Sequence, residues 1–186
     1  MIKGFATSEG TNKFAENHIH VPQQNYRKIQ SLALSNVGIG TYLGNTDSET
    51  DLLMKNAVKE SILQGVNVID TAINYRAQKS ERTVGKAISE LVGEGKINRN
   101  EIFISTKNGY VTNDADIQED FMDYVIREFG KTGIVKEGDI SSQYNCITTP
   151  FLEDQLARSK KNLGLECIDL MYLHNAVEGQ PQMPRE

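Results

Sequence analysis

The sequence predicts an α/β fold in which parallel strands alternate with helices, forming about the first four βα units of an eight-unit parallel (β/α) barrel of the TIM type. Three short apolar runs, 66–69, 102–106 and 168–173, each lead into a polar residue, and helix-like sequence separates one run from the next. Such runs are typical of buried parallel strands, and alternation with helices favours a parallel sheet. Polar residues at the carboxyl ends of successive strands lie where such a barrel keeps its catalytic groups.

The composition is that of one ordinary globular domain over residues 1–186. The hydrophobic fraction is 38%, and no segment approaches the roughly 18 apolar residues of a membrane span. Because the first residues lack the apolar stretch of a signal peptide, we expect a cytoplasmic protein. Cys146 and Cys167 have no CxxC spacing, which favours reduced thiols over a disulfide or a metal site. A net charge of −5 disfavours nucleic acid as a partner.

The N-terminal part, residues 1–30, is polar and mixed, and we expect an irregular lead-in. His18 and His20 could be a fragment of a metal site, but no third ligand is nearby and a surface position is favoured. The segments 26–29 and 32–35 then predict a small hairpin ahead of the first barrel strand, 36–40.

Three helices are expected between the strands. Residues 46–48 offer caps for the first, over 49–64, whose apolar stripe contains Leu53, Met54, Ala57, Val58 and Ile62. Ser80 is the expected cap of the second, which ends near Gly93 and Gly95 and buries Val84, Ala87, Ile88 and Leu91. Thr149 and Pro150 open the third, which ends at Leu163 before Gly164.

Residues 108–148 interrupt this rhythm as a long inserted loop, far longer than a usual βα connection. Within it the pattern predicts an extra helix over 117–129, with Phe121, Tyr124, Val125 and Phe129 on one side. The loop could be a lid that alters substrate range or a surface decoration. The tail, 175–186, predicts nothing regular.

A doubly wound nucleotide-binding fold is the competing interpretation of alternating strands and helices. It would require a G-x-G-x-x-G turn after the first strand. The glycines Gly38, Gly40 and Gly44 leave one residue too many between the last two. The barrel is therefore favoured.

Four polar residues fall at or just beyond the predicted strand ends: Asp70, Tyr75, Lys107 and His174. A phenol is a reluctant proton donor at neutral pH, and a nearby ammonium makes it a better one by stabilising the phenolate. A carboxylate keeps such an ammonium charged, and an imidazole can donate a hydrogen bond to a substrate oxygen. The group predicts protonation of a carbonyl oxygen while a nicotinamide supplies hydride to the carbon.

Each residue also has an ordinary explanation. Asp70 before Thr71 could cap a turn, Tyr75 could be a packing residue, and a lysine after a buried strand usually faces solvent. Their joint occurrence at corresponding strand ends favours the catalytic interpretation.

Over roughly residues 34–107 and 150–174 the chain resembles the aldo-keto reductases. The motifs that carry the resemblance are Gly38-Ile39-Gly40-Thr41, Asp70-Thr71-Ala72-Ile73-Asn74-Tyr75, Ser80-Glu81-Arg82-Thr83-Val84-Gly85, Ser105-Thr106-Lys107 and Asp169-Leu170-Met171-Tyr172-Leu173-His174. The resemblance implies a (β/α)8 barrel that reduces aldehydes or ketones. It makes Tyr75 the proton donor, Lys107 and Asp70 its tuning pair, and His174 a donor that orients the carbonyl.

The resemblance also implies NADPH as the cofactor, with NADH possible, and a small-molecule carbonyl substrate. Gly40, Thr41, Tyr42 and Asp70 fall where the family approaches the nicotinamide. Most family contacts to the pyrophosphate and adenosine lie in the second half of the barrel, beyond residue 186. Two other interpretations stay open: a non-catalytic half-barrel that serves as an interaction or regulatory module, and a truncated, inactive reductase fragment. Open barrel edges would favour self-association.

Overall fold

The computed structural model describes residues 1–176, and it confirms a parallel α/β arrangement. Its four-stranded sheet has the strands side by side in chain order. The bounds are Ile39–Gly40 for β3, Val68–Asp70 for β4, Phe103–Asn108 for β5 and Leu170–Leu173 for β6. Within the described residues β3 and β6 lie at opposite edges and do not pair, so the sheet is part of a barrel that is not closed.

The register of the sheet brings the carboxyl ends of its strands to one edge. Asp70 at the end of β4 lies beside Gly40 on one side and Ser105 on the other. Lys107, near the end of β5, lies beside Tyr172 in β6. The residues that follow these strands therefore leave the sheet at the same end, as the sequence predicts.

Helices cover one face of this sheet. The α-helices are α1 Ser8–Asn17, α2 Ser48–Leu63, α3 Lys79–Gly93, α4 Phe121–Val125 and α5 Thr149–Leu163. The main core lies between the sheet and α2, α3 and α5, and the four residues predicted for the buried face of α3 are all fully buried. In α2, Val58 and Ile62 are buried as expected, but Leu53 is 64% exposed and Ala57 is exposed too. The apolar stripe of α2 is therefore narrower than predicted.

The helix caps differ from the predictions by one or two residues. Asp47 caps α2 by accepting a hydrogen bond from the amide of Thr50, within the predicted segment. The predicted cap Ser80 lies inside α3 instead, where its hydroxyl donates to the carbonyl of Thr41. Thr148 takes the capping position of α5, with Pro150 in the first turn and Gly164 in the left-handed conformation behind it.

The N-terminal segment is more regular than expected, because residues 8–17 form helix α1. Thr7 caps this helix by accepting a hydrogen bond from the amide of Gly10. Phe14 is 1% exposed and packs into the main core, and this burial stabilises the helix. The hairpin is confirmed, since β1 (Tyr26–Ile29) pairs antiparallel with β2 (Leu32–Ser35).

The long connection after β5 has a small core of its own. Helix α4 begins at Phe121, four residues later than predicted, because Asp120 caps it, and it continues into a π-helical turn, Ile126–Gly130. The apolar side predicted for this helix packs against α5. Its core residues are Val111, Tyr124, Val125, Phe129, Val135, Cys146 and Phe151, with Phe121 at the margin.

In the described part of the chain no helix has the length and apolar character needed to cross a membrane. The predicted irregular tail, 175–186, lies outside the described residues from 177 onward.

Candidate active site

An ion pair joins the ends of β4 and β5. The Lys107 ammonium lies 2.5 Å from Asp70 Oδ2 and donates a second hydrogen bond, of 2.8 Å, to the carbonyl of Thr71. The other carboxylate oxygen of Asp70 accepts from the Ser105 hydroxyl at 2.9 Å. Both donors come from β5, where residues two apart share a face of the strand. The ammonium is thus held in one position between two chain segments.

Tyr75 lies directly beside this ion pair. The Lys107 nitrogen is 4.7 Å from the centroid of the Tyr75 ring, within the range of a cation–π contact. The Tyr42 ring contacts the Tyr75 ring edge-on, with centroids 4.9 Å apart. A cation over the ring and an aromatic wall hold the phenol in the place that the sequence predicts for it.

A strained turn presents Tyr75 at the sheet end. The three residues that follow it, Arg76, Ala77 and Gln78, have φ of 51°, 50° and 75°. Non-glycine residues in this left-handed region each cost about 1–2 kcal/mol, so the surroundings must hold them there. Arg76 provides one anchor, because its guanidinium donates to the carbonyl of Asn45 at 2.6 Å and pairs with Asp51 at 2.6 Å. The turn is therefore fixed to helix α2.

His174 follows β6 and completes the group of four. Its amide donates to the carbonyl of Asn108, and its ring nitrogen Nδ1 lies 3.1 Å from Asn74 Oδ1. The ring meets the Tyr75 ring edge-on at 5.6 Å between centroids and the Tyr110 ring at 5.0 Å. Burial, and after it the positive charge of Lys107, lower the pKa of His174 below 6.5, while Asp70 opposes this. The imidazole is therefore neutral at pH 7.

Two cavities open beside these residues. One, of about 310 Å³, is lined by Tyr42, Asn74, Tyr75, Tyr110, His174 and Asn175. The other, of about 480 Å³, is lined by Asp70, Tyr75, Lys107, Tyr172, Leu173, His174 and Asn175. The phenol and the imidazole line both, so a small molecule in either cavity could meet them. All four predicted catalytic residues therefore lie at one site.

The residues predicted to approach a nicotinamide differ in their exposure to solvent. Gly40 is exposed, and a β-carbon added there would meet no atom within 4 Å. The Tyr42 side chain is 65% exposed. Thr41 is only 1% exposed, and its hydroxyl donates to Thr71 Oγ1 at 2.8 Å. Gly40 and Tyr42 thus form the surface at this point, while Thr41 supports it from beneath.

Several residues around the site were not singled out from the sequence. Asn74 and Tyr110 line a cavity and contact His174, Ser105 binds Asp70, and Asn145 donates to the carbonyl of His174 at 3.1 Å. Ser105 could have been found from strand alternation, because it lies two residues before Lys107 on the same strand. No comparable local signal marks Asn145, which is distant in sequence from all four site residues.

Comparison with known proteins shows similarity to one family in sequence and in fold. The model of the aldo/keto reductase family matches residues 36–183. The NADH-specific methylglyoxal reductase of Escherichia coli (strain K12) is 26% identical over 148 residues, which cover 77% of this chain and 39% of that protein. An aldo/keto reductase from Klebsiella pneumoniae, solved with NADP and acetate, has 19% identity and a TM-score of 0.52 over 82% of this chain and 40% of its own.

The holo form of the aldo-keto reductase AKR11C1 from Bacillus halodurans is similar in fold as well. Its TM-score is 0.55 at 23% identity, over 83% of this chain and 43% of that one. The chain therefore spans about two-fifths of the length of these relatives. Because the family model matches most of the chain and the fold agrees with it, the chain belongs to the aldo/keto reductase family.

Proposed function

We propose that this sequence forms the chemical end of a carbonyl reductase, which converts a small aldehyde or ketone to an alcohol with a reduced nicotinamide cofactor. The observation that carries the proposal is the placement of Lys107 between Asp70 and Tyr75, with the His174 ring alongside. An ammonium that pairs with a carboxylate and lies against the ring of a tyrosine is suited to a proton-donating phenol. The family membership supports the same reaction.

In this proposal Tyr75 gives its hydroxyl proton to the carbonyl oxygen of the substrate. Lys107 stabilises the phenolate that remains, and Asp70 fixes the ammonium through their contact. Ser105 holds the second oxygen of Asp70, so the carboxylate does not turn away. The bound cofactor supplies the hydride that the carbonyl carbon receives. The tyrosine regains its proton from solvent.

The described residues fit the nicotinamide end of the cofactor. Gly40 and Tyr42 form an open surface, and Asp70, with its side chain 40% exposed, lies beside it. Among the described residues that line the two cavities, Lys107 is the one cation, and Asp70 already pairs with it. We propose NADPH as the cofactor because a structural neighbour was solved with NADP, and NADH as the alternative because the E. coli relative is NADH-specific.

The test is a reductase assay on a complete barrel that contains this sequence, with NADPH or NADH and a panel of small aldehydes and ketones. We expect Tyr75→Phe to lower kcat by about 10²- to 10⁴-fold, since it removes the proton donor. Tyr144→Phe removes the same hydroxyl from a ring that is 53% exposed and contacts Phe121, so it is the matched control. If no carbonyl compound is reduced, and Tyr75→Phe behaves like Tyr144→Phe, the proposal is wrong.

A second candidate is a non-catalytic module that binds a partner or another copy through the open sheet. The observation that favours it is apolar exposure at β6, where Tyr172 is 47% and Leu173 is 52% exposed. Unpaired strand edges of this kind promote pairing with another chain. If the chain associates with another copy or with a partner, and no reductase activity is found, this candidate is favoured.

A further inference from the structure

The long connection after β5 contacts the strained turn that presents the predicted proton donor. Its residues 113–116, which we call the strap, form no helix or strand. The backbone amide of Ala115 donates to the carbonyl of Ala77 at 3.1 Å. The side-chain amide nitrogen of Gln78 donates to the carbonyl of Asn113, also at 3.1 Å. Two successive residues of the turn are therefore bonded to the strap.

The turn needs support from outside because its backbone conformation is unfavourable. Arg76, Ala77 and Gln78 all have positive φ, a region that residues other than glycine rarely adopt. Such a conformation persists only where the surrounding structure holds it. Arg76 is fixed to α2, whereas Ala77 and Gln78 are fixed to the strap.

The strap itself is attached to helix α3 by charged groups. The Arg82 guanidinium donates to both oxygens of Asp114, at 2.7 and 2.6 Å, and to Asp116 at 2.6 Å. Lys79, the first residue of α3, pairs with Asp116 at 3.1 Å. Hydrogen bonds from Arg82 lower the pKa of Asp114 below its usual range, so the carboxylate is charged at neutral pH. Paired bonds between a guanidinium and a carboxylate fix orientation as well as distance.

These contacts distinguish the strap from a lid and from a surface decoration. Of the described residues, those of the strap line neither of the two cavities beside the site. They bind the backbone of the turn and the start of the helix that follows it. The strap thus supports the site from behind.

We propose that the strap is a positioning element for Tyr75, and that Asp114 and Arg82 are its positioning residues. This role in catalysis rests on the proposed reductase function, whereas the contact between strap and turn does not. The turn begins at the residue after Tyr75, so a shift of the turn moves the phenol relative to the Lys107 ammonium, which lies 4.7 Å from the ring centroid. A displacement of about 1 Å between reacting groups can lower a rate by about 10²-fold.

The test is Asp114→Ala in a complete barrel that contains this sequence. The change removes both oxygens that Arg82 binds and keeps every described residue that lines the two cavities. Glu119→Ala is the matched control, because it breaks another 2.6 Å ion pair of the same connection, with Arg127 in the π-helical turn. Arg82→Lys keeps the positive charge but cannot form the paired bonds to Asp114.

The position of Tyr75 can be followed without cofactor or turnover by ¹⁹F NMR of protein labelled with 3-fluorotyrosine. Its signal is identified by its loss in Tyr75→Phe, and the chemical shift reports the cation and the aromatic ring that lie against it. We expect Asp114→Ala to shift or broaden this signal, Arg82→Lys to do so to a smaller extent, and Glu119→Ala to leave it unchanged. The other tyrosine signals show whether a variant is folded, and Arg82→Lys carries the test if Asp114→Ala is not.

The kinetic measurement separates positioning from a loss of stability. We expect Asp114→Ala to lower kcat about tenfold with KM unchanged, and to increase the solvent isotope effect on kcat, because proton transfer from a displaced donor becomes slower. A merely less stable protein has fewer active molecules, which lowers the rate and leaves the isotope effect as it was. The same Tyr75 signal and isotope effect in Asp114→Ala as in Glu119→Ala would overturn the proposal. A wild type without reductase activity, whose Tyr75 signal still shifts in Asp114→Ala, would refute the reductase function and keep the contact between strap and turn.

Discussion

At the scale of single residues, the Asp70 carboxylate joins the ends of β4 and β5 through two hydrogen bonds. It accepts from Lys107 and from Ser105, and both donors come from β5. The ion pair is half open to solvent, with side chains 16% and 40% exposed, and such a pair adds little stability. The main effect of this ion pair is on position, because it holds the Lys107 ammonium beside the Tyr75 ring. The neighbouring His174 is held by a different set of contacts, and its proton equilibrium can be tested separately.

The folded state resists protonation of His174, and this predicts a pH dependence of stability. Burial first, and then Lys107, lower its pKa below 6.5. The unfolded imidazole takes up a proton as the pH falls through about 6.5, whereas the folded one does so only at lower pH. Over that window the unfolded state binds more protons, so the free energy of unfolding decreases as the pH falls.

We therefore expect the wild-type chain to lose more stability between pH 7.5 and 5.5 than His174→Gln does, as measured by denaturant unfolding at each pH. His20→Gln changes an exposed histidine and should follow the wild type. The same loss in all three proteins would show that His174 does not contribute.

At the scale of elements, α3 and α5 approach each other closely behind the site. A β-carbon added at Gly85 would lie 2.7 Å from the carbonyl oxygens of Asn162 and Leu163, which are backbone atoms that cannot rotate away. Near this approach the buried Glu81 carboxylate accepts from Thr106 in β5 at 2.6 Å and from Asn162 in α5 at 2.9 Å. Burial raises the pKa of Glu81. The two helices and the strand thus form one tightly fitted unit beneath Lys107.

This close approach predicts opposite effects for two glycines of the same helix. We expect Gly85→Ala to lower the free energy of unfolding by about 1–3 kcal/mol, because the added methyl group pushes α3 away from α5. Gly93→Ala, at an exposed position where no atom lies within 4 Å of an added β-carbon, should leave stability unchanged or raise it by about 0.5–1 kcal/mol. Urea unfolding of both variants measures the difference. Equal effects at the two positions would contradict the packing described for Gly85.

At the scale of the whole molecule, the sheet has apolar surface that its own helices do not cover. Large apolar side chains are exposed near its carboxyl edge, among them Tyr42 at 65%, Leu43 at 77% and Leu173 at 52%. Over the described residues β6 pairs only with β5, so one side of it is an open edge. The relatives that share this fold are about twice as long. Such surface and edges favour association with other chain segments.

We expect residues 1–186 on their own to fold poorly as a monomer and to bind NADPH weakly. Under the proposed function the described residues would meet only the nicotinamide end, and precise placement of hydride depends on how firmly the rest of the cofactor is held. Affinity should fall by several kcal/mol relative to a complete barrel, at about 1.4 kcal/mol per tenfold. Light scattering gives the oligomeric state, and quenching of the emission of the seven tyrosines follows binding, since the chain has no tryptophan. Micromolar or tighter binding by a well-folded monomer would contradict this expectation.

The sequence by itself determined the order of the elements and the places of Asp70, Tyr75, Lys107 and His174. Hydrophobic periodicity and strand ends are local features, and parallel pairing in chain order brings the ends of neighbouring strands to one edge. The buried face of α3 and the end of α5 at Gly164 followed from the same kind of local pattern. The prediction of an irregular N-terminal segment was wrong in part, because α1 forms where Phe14 is buried in the core.

Only the tertiary structure decided what each group can do. Asn74 and His174 are 100 residues apart, so no local pattern could show that their side chains meet. Thr41 is buried because its hydroxyl donates to Thr71 Oγ1 and its backbone carbonyl accepts from the Ser80 hydroxyl, and both partners are distant in sequence. Segments far apart in sequence meet at these contacts. Differences of a few tenths of an ångström between them decide whether a hydrogen bond forms, whether a side chain is buried and how closely an ammonium approaches a ring. The sequence specifies these distances only through the packing of the complete fold.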